Sequence, residues 1–349
     1  MDGKTRSVRI GGVFVGGGGS VLIQSMTNTD TVDTKATIAQ IERLCDAGCE
    51  AVRCAFYSEA CAPAFKEIKK HMRVPLIADV HFDANLALLA LKNGADKVRI
   101  NPGNLKGEGA LFAVADCAKS FGAALRIGVN AGSLERRLLE KHGSPTAKAL
   151  AQSAADTVEK LYGAGFFDAV VSIKASYVPV CVKACRIFSR LSDAPMHIGI
   201  TEAGAYDDAV VKSAVGLGAL LLDGIGDTIR VSVTGDPVRE IKAAKQILQS
   251  AGRRTFYPEV ISCPTCARTR IDVEGLSQKV KVILNEKAKP LKAAVMGCVV
   301  NGPGEARHAD IGIAGGDGKA ALFAKGELVG TYGGDDILDA FSRYIDEHF

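Results

Sequence analysis

Short β-branched and aliphatic runs alternate with longer stretches whose apolar positions recur every three to four residues, from Val21 to about Ser250. Parallel strands buried on both faces read as near-continuous apolar runs, whereas helices show the longer period. The runs predict strands at Val21–Gln24, Ala51–Cys54, Leu76–Val80, Lys97–Ile100, Leu125–Val129, Ala169–Ile173, His197–Ile200 and Ile229–Val233. Helices are expected between them, for example Thr34–Ala47, Ala84–Asn93 and Thr146–Ala164, several closing on a glycine such as Gly48 or Gly94. Eight strand–helix units in about 230 residues predict an α/β fold, a (β/α)8 TIM barrel. A doubly wound sheet would place a glycine fingerprint between its first strand and helix. Gly16–Gly19 instead precedes a strand. It reads as the turn of an N-terminal hairpin spanning Val8 to Ile23, set against the barrel floor.

The pattern changes after Gly252. The expected domains are 1–252, the barrel with its hairpin; 253–259, a linker; and 260–349, a small α+β domain. In the last, a first strand, a helix at Gly275–Leu284, a strand at Ala293–Met296, a hairpin around Gly315–Gly318 and a final helix at Asp336–Glu347 are predicted.

Composition adds little to this until charge is divided by domain. The 349 residues are 47% apolar and 23% charged, as in an ordinary globular protein. No apolar run approaches the ~20 residues of a membrane span, and the first residues lack the apolar core of a signal peptide. A cytoplasmic protein without membrane contact is expected. A net charge of +4 is too small to argue for nucleic acid. From Glu259 onward, however, there are 11 Lys+Arg against 13 Asp+Glu, leaving 32 against 26 in the larger domain. Such a bias suits an anionic ligand there.

Chemistry in such a barrel belongs at the C-terminal ends of the strands. Those ends offer Arg53; Asp79 and His81; Arg99 and Asn101; Arg126 and Asn130; Lys174; Glu202; and Arg230 and Ser232. Asp79/His81, Arg99/Asn101 and Arg230/Ser232 are two residues apart, so both members of each pair share a face of their strand. One such cation is readily explained as a solvated strand end. Five together, Arg53, Arg99, Arg126, Lys174 and Arg230, repel one another unless a polyanion lies among them, and the guanidinium fork suits phosphate oxygens. Asp79, His81 and Glu202 are candidates for hydroxyl binding and proton transfer.

The ten cysteines of a cytoplasmic chain are not a disulfide framework. Cys45, Cys49, Cys54, Cys61, Cys117, Cys181 and Cys185 read as small core residues. Cys263 and Cys266 form a Cys-x-x-Cys after a strand, and Cys298 precedes a glycine-rich turn ending at Glu305. A structural zinc would need a fourth ligand, for which His308 is near in sequence. A redox dithiol would leave Cys298 without a role. A cubic iron–sulfur cluster on three cysteines leaves one iron for another ligand, with Glu305 well placed and Gly302, Pro303 and Gly304 letting the backbone pass close.

SCPTCARTRID at 262–272 and MGCVVNGPGEARHADIGIAGG at 296–316, with QSMTNTDT, ADVHF, VRINPGN, LRIGVNAGSL, SIKAS and GITEAG in the barrel, resemble the 4-hydroxy-3-methylbut-2-enyl diphosphate synthase family. The resemblance covers nearly the whole chain and is to the short bacterial form. It implies a 4Fe–4S cluster on Cys263, Cys266, Cys298 and Glu305. The implied substrate is 2-C-methyl-D-erythritol 2,4-cyclodiphosphate of the non-mevalonate isoprenoid pathway. The enzyme would be an iron–sulfur oxidoreductase taking electrons from a flavodoxin or ferredoxin. A homodimer is implied as well, the cluster domain of one subunit covering the barrel of the other. Two other classes stay open on the residues alone: a non-redox, metal-stabilised phosphosugar enzyme, and an electron carrier whose barrel is a scaffold.

Overall fold

The computed structural model describes residues 5–105, 108–298, 300, 304–305, 308–316, 318–334 and 336–349. The chain divides into two compact units, the first ending at Arg254 and the second running from Thr255 to Phe349.

The first unit begins with a hairpin of β1 (Val8–Ile10) and β2 (Val13–Val15), then a parallel sheet of eight strands: β3 (Leu22–Met26), β4 (Ala51–Ala55), β5 (Leu76–Asp79), β6 (Lys97–Ile100), β7 (Ala124–Asn130), β8 (Ala169–Lys174), β9 (His197–Ile198) and β10 (Thr228–Ile229). Their spatial order is β8-β7-β6-β5-β4-β3-β10-β9, and a parallel bridge between Val171 and Met196 joins the two ends. The sheet is thereby a barrel. A helix follows every strand: α1 (Thr34–Asp46), α2 (Cys61–Lys70), α3 (Ala84–Lys92), α4 (Glu108–Ser120), then a short α5 (Arg136–His142) with α6 (Ala147–Gly163), α7 (Val178–Phe188), α8 (Tyr206–Leu222) and α9 (Val238–Ser250). Side chains start several of them: Asp33 accepts from Ala36 N, Asp83 from Asn85 N and Thr146 from Ala149 N. No helix among the described residues is long and apolar enough to cross a membrane.

The two faces of the barrel wall differ in character. Residues facing the helices are aliphatic, including Ile23, Val52, Ala78, Val98, Leu125 and Ile198, all fully buried. The inward positions carry Gln24, Arg53, Asp79, Lys97, Arg99, Arg126, Ser172, Lys174, His197 and Thr228, all buried polar groups. A TIM barrel is ordinarily filled by layers of branched apolar residues. Here the interior is given over to polar chemistry, and the apolar core is the annulus between strands and helices.

The expected hairpin is present but not as expected. Its turn is Gly11–Gly12, since Ile10 pairs with Val13. Gly16–Gly19 comes after the second strand. A side chain at Gly16, where φ is +84°, would place its Cβ 2.1 Å from Arg6 O, so the run packs the chain against the hairpin rather than turning it. Val8, Ile10 and Val15 do cluster with Ala124 and Val170, at the N-terminal ends of β7 and β8, which is the barrel floor. The last two barrel strands are shorter than predicted, with Ile200 and Val233 outside them. In β9 the reason is Gly199, whose place beside the ladder is taken by the Lys174 amine. Helix α5 has no counterpart among the predicted elements, and Cys49 lies beyond α1 rather than in it.

The second unit is a five-stranded sheet in the order β11 (Glu259–Ser262), β12 (Lys292–Met296), β13 (Ile311–Gly315), β14 (Ala320–Ala324), β15 (Glu327–Tyr332). The first three are parallel and the last two antiparallel. Helix α10 (Val273–Glu286) crosses from β11 to β12, and a helix at Asp336–His348 ends the chain. Both pack on one face of the sheet through Val280, Leu284, Phe341 and Ile345 against Val295 and Ile313. The exposed edge strand β15 has no clear pattern in the sequence, being interrupted by Gly330.

Candidate functional site

At the barrel mouth the inward parity of the strands brings the expected residues together. Asp79 on β5 is the hub. Its Oδ1 lies 3.9 Å from Arg53 Nη1 and 3.6 Å from Arg99 Nη1. His81 Nε2 stands 3.4 Å from Asp79 Oδ2 and 2.7 Å from Arg99 Nη1. The Asn130 amide, with its oxygen toward the arginine, accepts from Arg99 Nη2 at 3.1 Å. Gly128 makes room for this: a Cβ there would sit 2.6 Å from Arg99 Nε.

Burial and mutual repulsion shape the protonation of the group. Burial alone raises the Asp79 carboxyl, but Arg53, the His81 hydrogen bond, Arg99 and Arg126 outweigh it and hold the carboxyl far below its ordinary range. Burial pushes Arg53 down to about 10 against the pull of Asp79. Arg126 is 1% exposed, and burial with Arg53 and Arg99 beside it disfavours its charge strongly. The Lys174 ammonium is driven well below its usual range by burial, then by Arg126, Arg53 and Arg230. A region that so penalises positive charge gains most from an incoming anion.

Not every expected residue faces this cluster freely. Asn101 is committed: its amide nitrogen donates to Ser133 Oγ at 2.5 Å and its oxygen accepts from Gly103 N at 3.0 Å, capping the turn Pro102–Asn104. Arg230 binds Glu240 through Nε at 3.0 Å and Nη2 at 2.9 Å. Ser232 is half-buried just beyond β10. Glu202 is exposed, after β9, with a left-handed backbone at φ +53°. Such a conformation in a non-glycine residue costs energy and is concentrated at functional sites.

Several participants escape the sequence reading. Lys97, two residues before Arg99 and of the same parity, is fully buried and depressed well below its usual range by burial, Arg126 and Arg53. The period-two rule that finds Arg99 would find it too. Met26 offers its sulfur to Arg53 Nε at 3.1 Å and Nη2 at 2.9 Å, and to Arg230 Nη1 at 3.5 Å. Glu240 sits in a helix, where strand parity gives no signal.

The second unit has its own site. Parallel pairing in register, Ser262 with Val295, puts the C-terminal ends of β11 and β12 side by side. The two cysteine segments leave from those ends. A cavity of about 140 Å3 is lined there by Cys263, Cys266, Cys298, Arg268, Thr269 and Gly297. Gly297 N–H donates to Cys263 Sγ at 3.2 Å, and Cys266 N–H to Thr269 Oγ1 at 3.0 Å. Cys266 is exposed, and Cys263 and Cys298 are half-buried. Among the described residues, no three His, Cys, Asp or Glu side chains converge where a single ion would sit. The three thiols are spread around the cavity wall, a setting suited to a multi-atom inorganic group, with backbone N–H groups to support thiolate sulfur. Glu305 is exposed, and the expected backbone approach at Gly302 and Pro303 lies outside the described residues. Of the other cysteines, Cys49, Cys54, Cys61, Cys181 and Cys185 are buried, and Cys45 and Cys117 partly so.

Comparison with known proteins follows the same division. Solved dihydropteroate synthases from Yersinia pestis (12% identity, TM-score 0.51, covering 70% of this chain and 98% of that one) and Stenotrophomonas maltophilia (14%, 0.52, 71% and 98%) share the barrel fold. Two curated proteins named 4-hydroxy-3-methylbut-2-en-1-yl diphosphate synthase (flavodoxin) are far more similar. That of Caldanaerobacter subterraneus subsp. tengcongensis is 49% identical over 99% of this chain and 98% of its own length. That of Nitratidesulfovibrio vulgaris is 50% identical over 98% and 89%. Residues 5–245 match the GcpE TIM-barrel domain, and residues 259–347 match the GcpE protein C-terminal domain. With both units matched in order and nearly end to end, the chain belongs to the GcpE family.

Proposed function

We propose that this chain opens 2-C-methyl-D-erythritol 2,4-cyclodiphosphate and reductively dehydroxylates it to 4-hydroxy-3-methylbut-2-enyl diphosphate, an oxidoreductase step of isoprenoid biosynthesis. Membership of the GcpE family and the names of its relatives support the reaction. The observation that carries the residue assignment is the buried excess of cations at the barrel mouth, balanced there by Asp79 and Glu240 alone among the acidic residues buried in this unit.

A 4Fe–4S cluster held by Cys263, Cys266, Cys298 and Glu305 supplies two electrons one at a time. The remaining work belongs to side chains of the barrel. Arg53, Arg99, Arg126, Lys174 and Arg230, with Ser232, bind the diphosphate by charge-assisted hydrogen bonds. Asp79, kept ionised by its neighbours, accepts from a substrate hydroxyl, with Asn130 and His81 beside it. Asn101 acts through the turn it caps. Glu202 delivers the proton that lets the departing hydroxyl leave as water. A flavodoxin donates the electrons, in keeping with the name of the relatives; a ferredoxin is the other candidate. The work is done in the cytoplasm.

The complete site forms between two subunits of a homodimer. Arg254, the last residue of the first unit, binds Glu50 at 2.7 and 2.9 Å and Val21 O at 2.8 Å, at the N-terminal ends of β3 and β4. The chain therefore leaves the barrel at its floor. Only Thr255 to Pro258 lie between Arg254 and β11. Fully extended, that connection reaches about 18 Å. The 13 residues of α9 alone span about 20 Å of barrel height. A partner's mouth is the easier target, and a two-fold closes the arrangement.

Anaerobic purification with iron and sulfide counting, followed by turnover of the cyclic diphosphate with reduced flavodoxin, tests the reading. About four irons per chain and formation of the linear diphosphate are expected; a colourless, iron-free, folded protein that still turned over would sink it. Mixing an Arg99→Ala/Arg126→Ala chain with a Cys298→Ser chain tests the dimer. Activity should return in the heterodimer, and a heterodimer as inactive as both parents would place the site within one chain.

A further inference from the structure

We propose that Glu240 is the positioning residue that fixes Arg230, and the backbone carrying Ser232, in the diphosphate cradle. The inference rests on the cradle assignment above.

Strand β10 is regular only through Ile229, so Arg230 to Val233 lie beyond its ladder. Glu240 holds them instead. It is 1% exposed, on the first turn of α9, and reaches through the wall between β3 and β10. Its Oε2 accepts from Arg230 Nε at 3.0 Å and from Ser25 Oγ at 2.7 Å. Its Oε1 accepts from Arg230 Nη2 at 2.9 Å and from Val233 N at 3.3 Å. Four donors thus converge on one carboxylate, two from the guanidinium and one from each flanking strand segment.

The geometry distinguishes this from two ordinary roles for a first-turn glutamate. In a capping box the side chain would return to the N-cap N–H, but the N-cap is Pro237, which has none. An acidic residue serving only the helix dipole would act equally well in solvent, and this one is buried. The bidentate pair instead uses the Nε–Nη2 edge of Arg230 and leaves Nη1 turned toward Met26, whose thioether is a weak acceptor. One edge of the guanidinium is anchored, and Nη1 remains for a phosphate oxygen. Ser25 ties the same carboxylate to β3, so the two sides of the cradle at β3 and β10 are held by one group.

The test is a double-mutant cycle on the anaerobic, cluster-loaded enzyme. It compares wild type, Arg230→Met, Glu240→Gln and the double variant. Binding of the oxidised protein to 2-C-methyl-D-erythritol 2,4-cyclodiphosphate is measured by calorimetry, with cluster absorption and Tm recorded for each. Glu240→Gln should weaken binding roughly tenfold or more, the scale of coupling inside one hydrogen-bonded network, without changing the absorption. The double variant should bind no worse than Arg230→Met within about twofold, because Glu240 has nothing left to position. It should also melt above Glu240→Gln, since removing both members of a buried pair costs less than stranding one. Wild-type affinity in Glu240→Gln overturns the proposal. So does a double variant weaker than Arg230→Met by the full Glu240→Gln factor, the mark of an independent structural role. Wild-type affinity in Arg230→Met overturns it as well, and Arg99 and Arg126 variants then show whether the cradle assignment falls with it. Should Glu240→Gln fail to fold, Glu240→Asp, which keeps the charge and shortens its reach, carries the same expectation.

Discussion

The barrel mouth and the cysteine cavity are organised in opposite ways. In the barrel, buried side chains from successive strands hold one another: Asp79 lies between Arg53 and Arg99, and His81 and Asn130 brace Arg99. In the second unit the thiols are half-buried or exposed and held mainly through backbone, with Gly297 N–H on Cys263. The first site is set before any ligand arrives. The second depends on what it binds to draw its thiols together. Side-chain frameworks give a rigid, selective cradle, whereas backbone loops give a mount that the bound group itself completes.

That contrast is broken or sharpened by three measurements. The largest effect should come from Cys263→Ser or Cys298→Ser, or from stripping iron with a chelator. Both should abolish the brown absorption and turnover together while leaving calorimetric binding of the cyclic diphosphate intact. Loss of substrate binding in these proteins would show that the two sites are not independently organised. Next, Arg99→Ala or Arg126→Ala should weaken substrate binding by about 1.5–3 kcal/mol, the scale of a charged hydrogen bond, with cluster absorption unchanged. Wild-type affinity in both would remove these residues from the cradle.

The smallest effect concerns acid stability. The Asp79 carboxyl is depressed in the folded protein. Its stabilising contribution is therefore complete above the unfolded value of about 3.9 and is lost progressively as pH falls below it. Asp79→Asn should lower Tm at neutral pH by stranding Arg53 and Arg99, and should lose less of its Tm than wild type between about pH 5 and pH 2. Parallel pH profiles for the two proteins would mean that Asp79 carries no such linkage.

How much of this is legible in the sequence follows from the same contrast. Strand parity is a local, period-two property, so residue spacing alone places Asp79/His81 and Arg99/Asn101 on common faces. Their partners leave no such mark. Glu240 reaches the cradle from a helix, and Met26 looks like one more apolar residue in a strand. Asn101 has the right parity but spends its hydrogen bonds on a turn, which only Ser133 and Gly103 reveal. The tetraglycine run misleads because glycine marks both tight turns and close chain approach. Gly16 serves the latter, against Arg6 O. In the second unit the Cys-x-x-Cys spacing is legible, but the meeting with Cys298 depends on β11 and β12 pairing in register across an intervening helix.

Met26 carries a consequence of another kind. Its thioether sits between the guanidinium groups of Arg53 and Arg230 as a soft, uncharged spacer. Oxidation to the sulfoxide would replace that weak acceptor with a strongly polar oxygen at the same point. Both arginines would then have an internal partner competing with phosphate. A single oxygen atom added to sulfur would inhibit the cradle from within, leaving the cluster's own sensitivity untouched. A sulfoxide reductase would restore it.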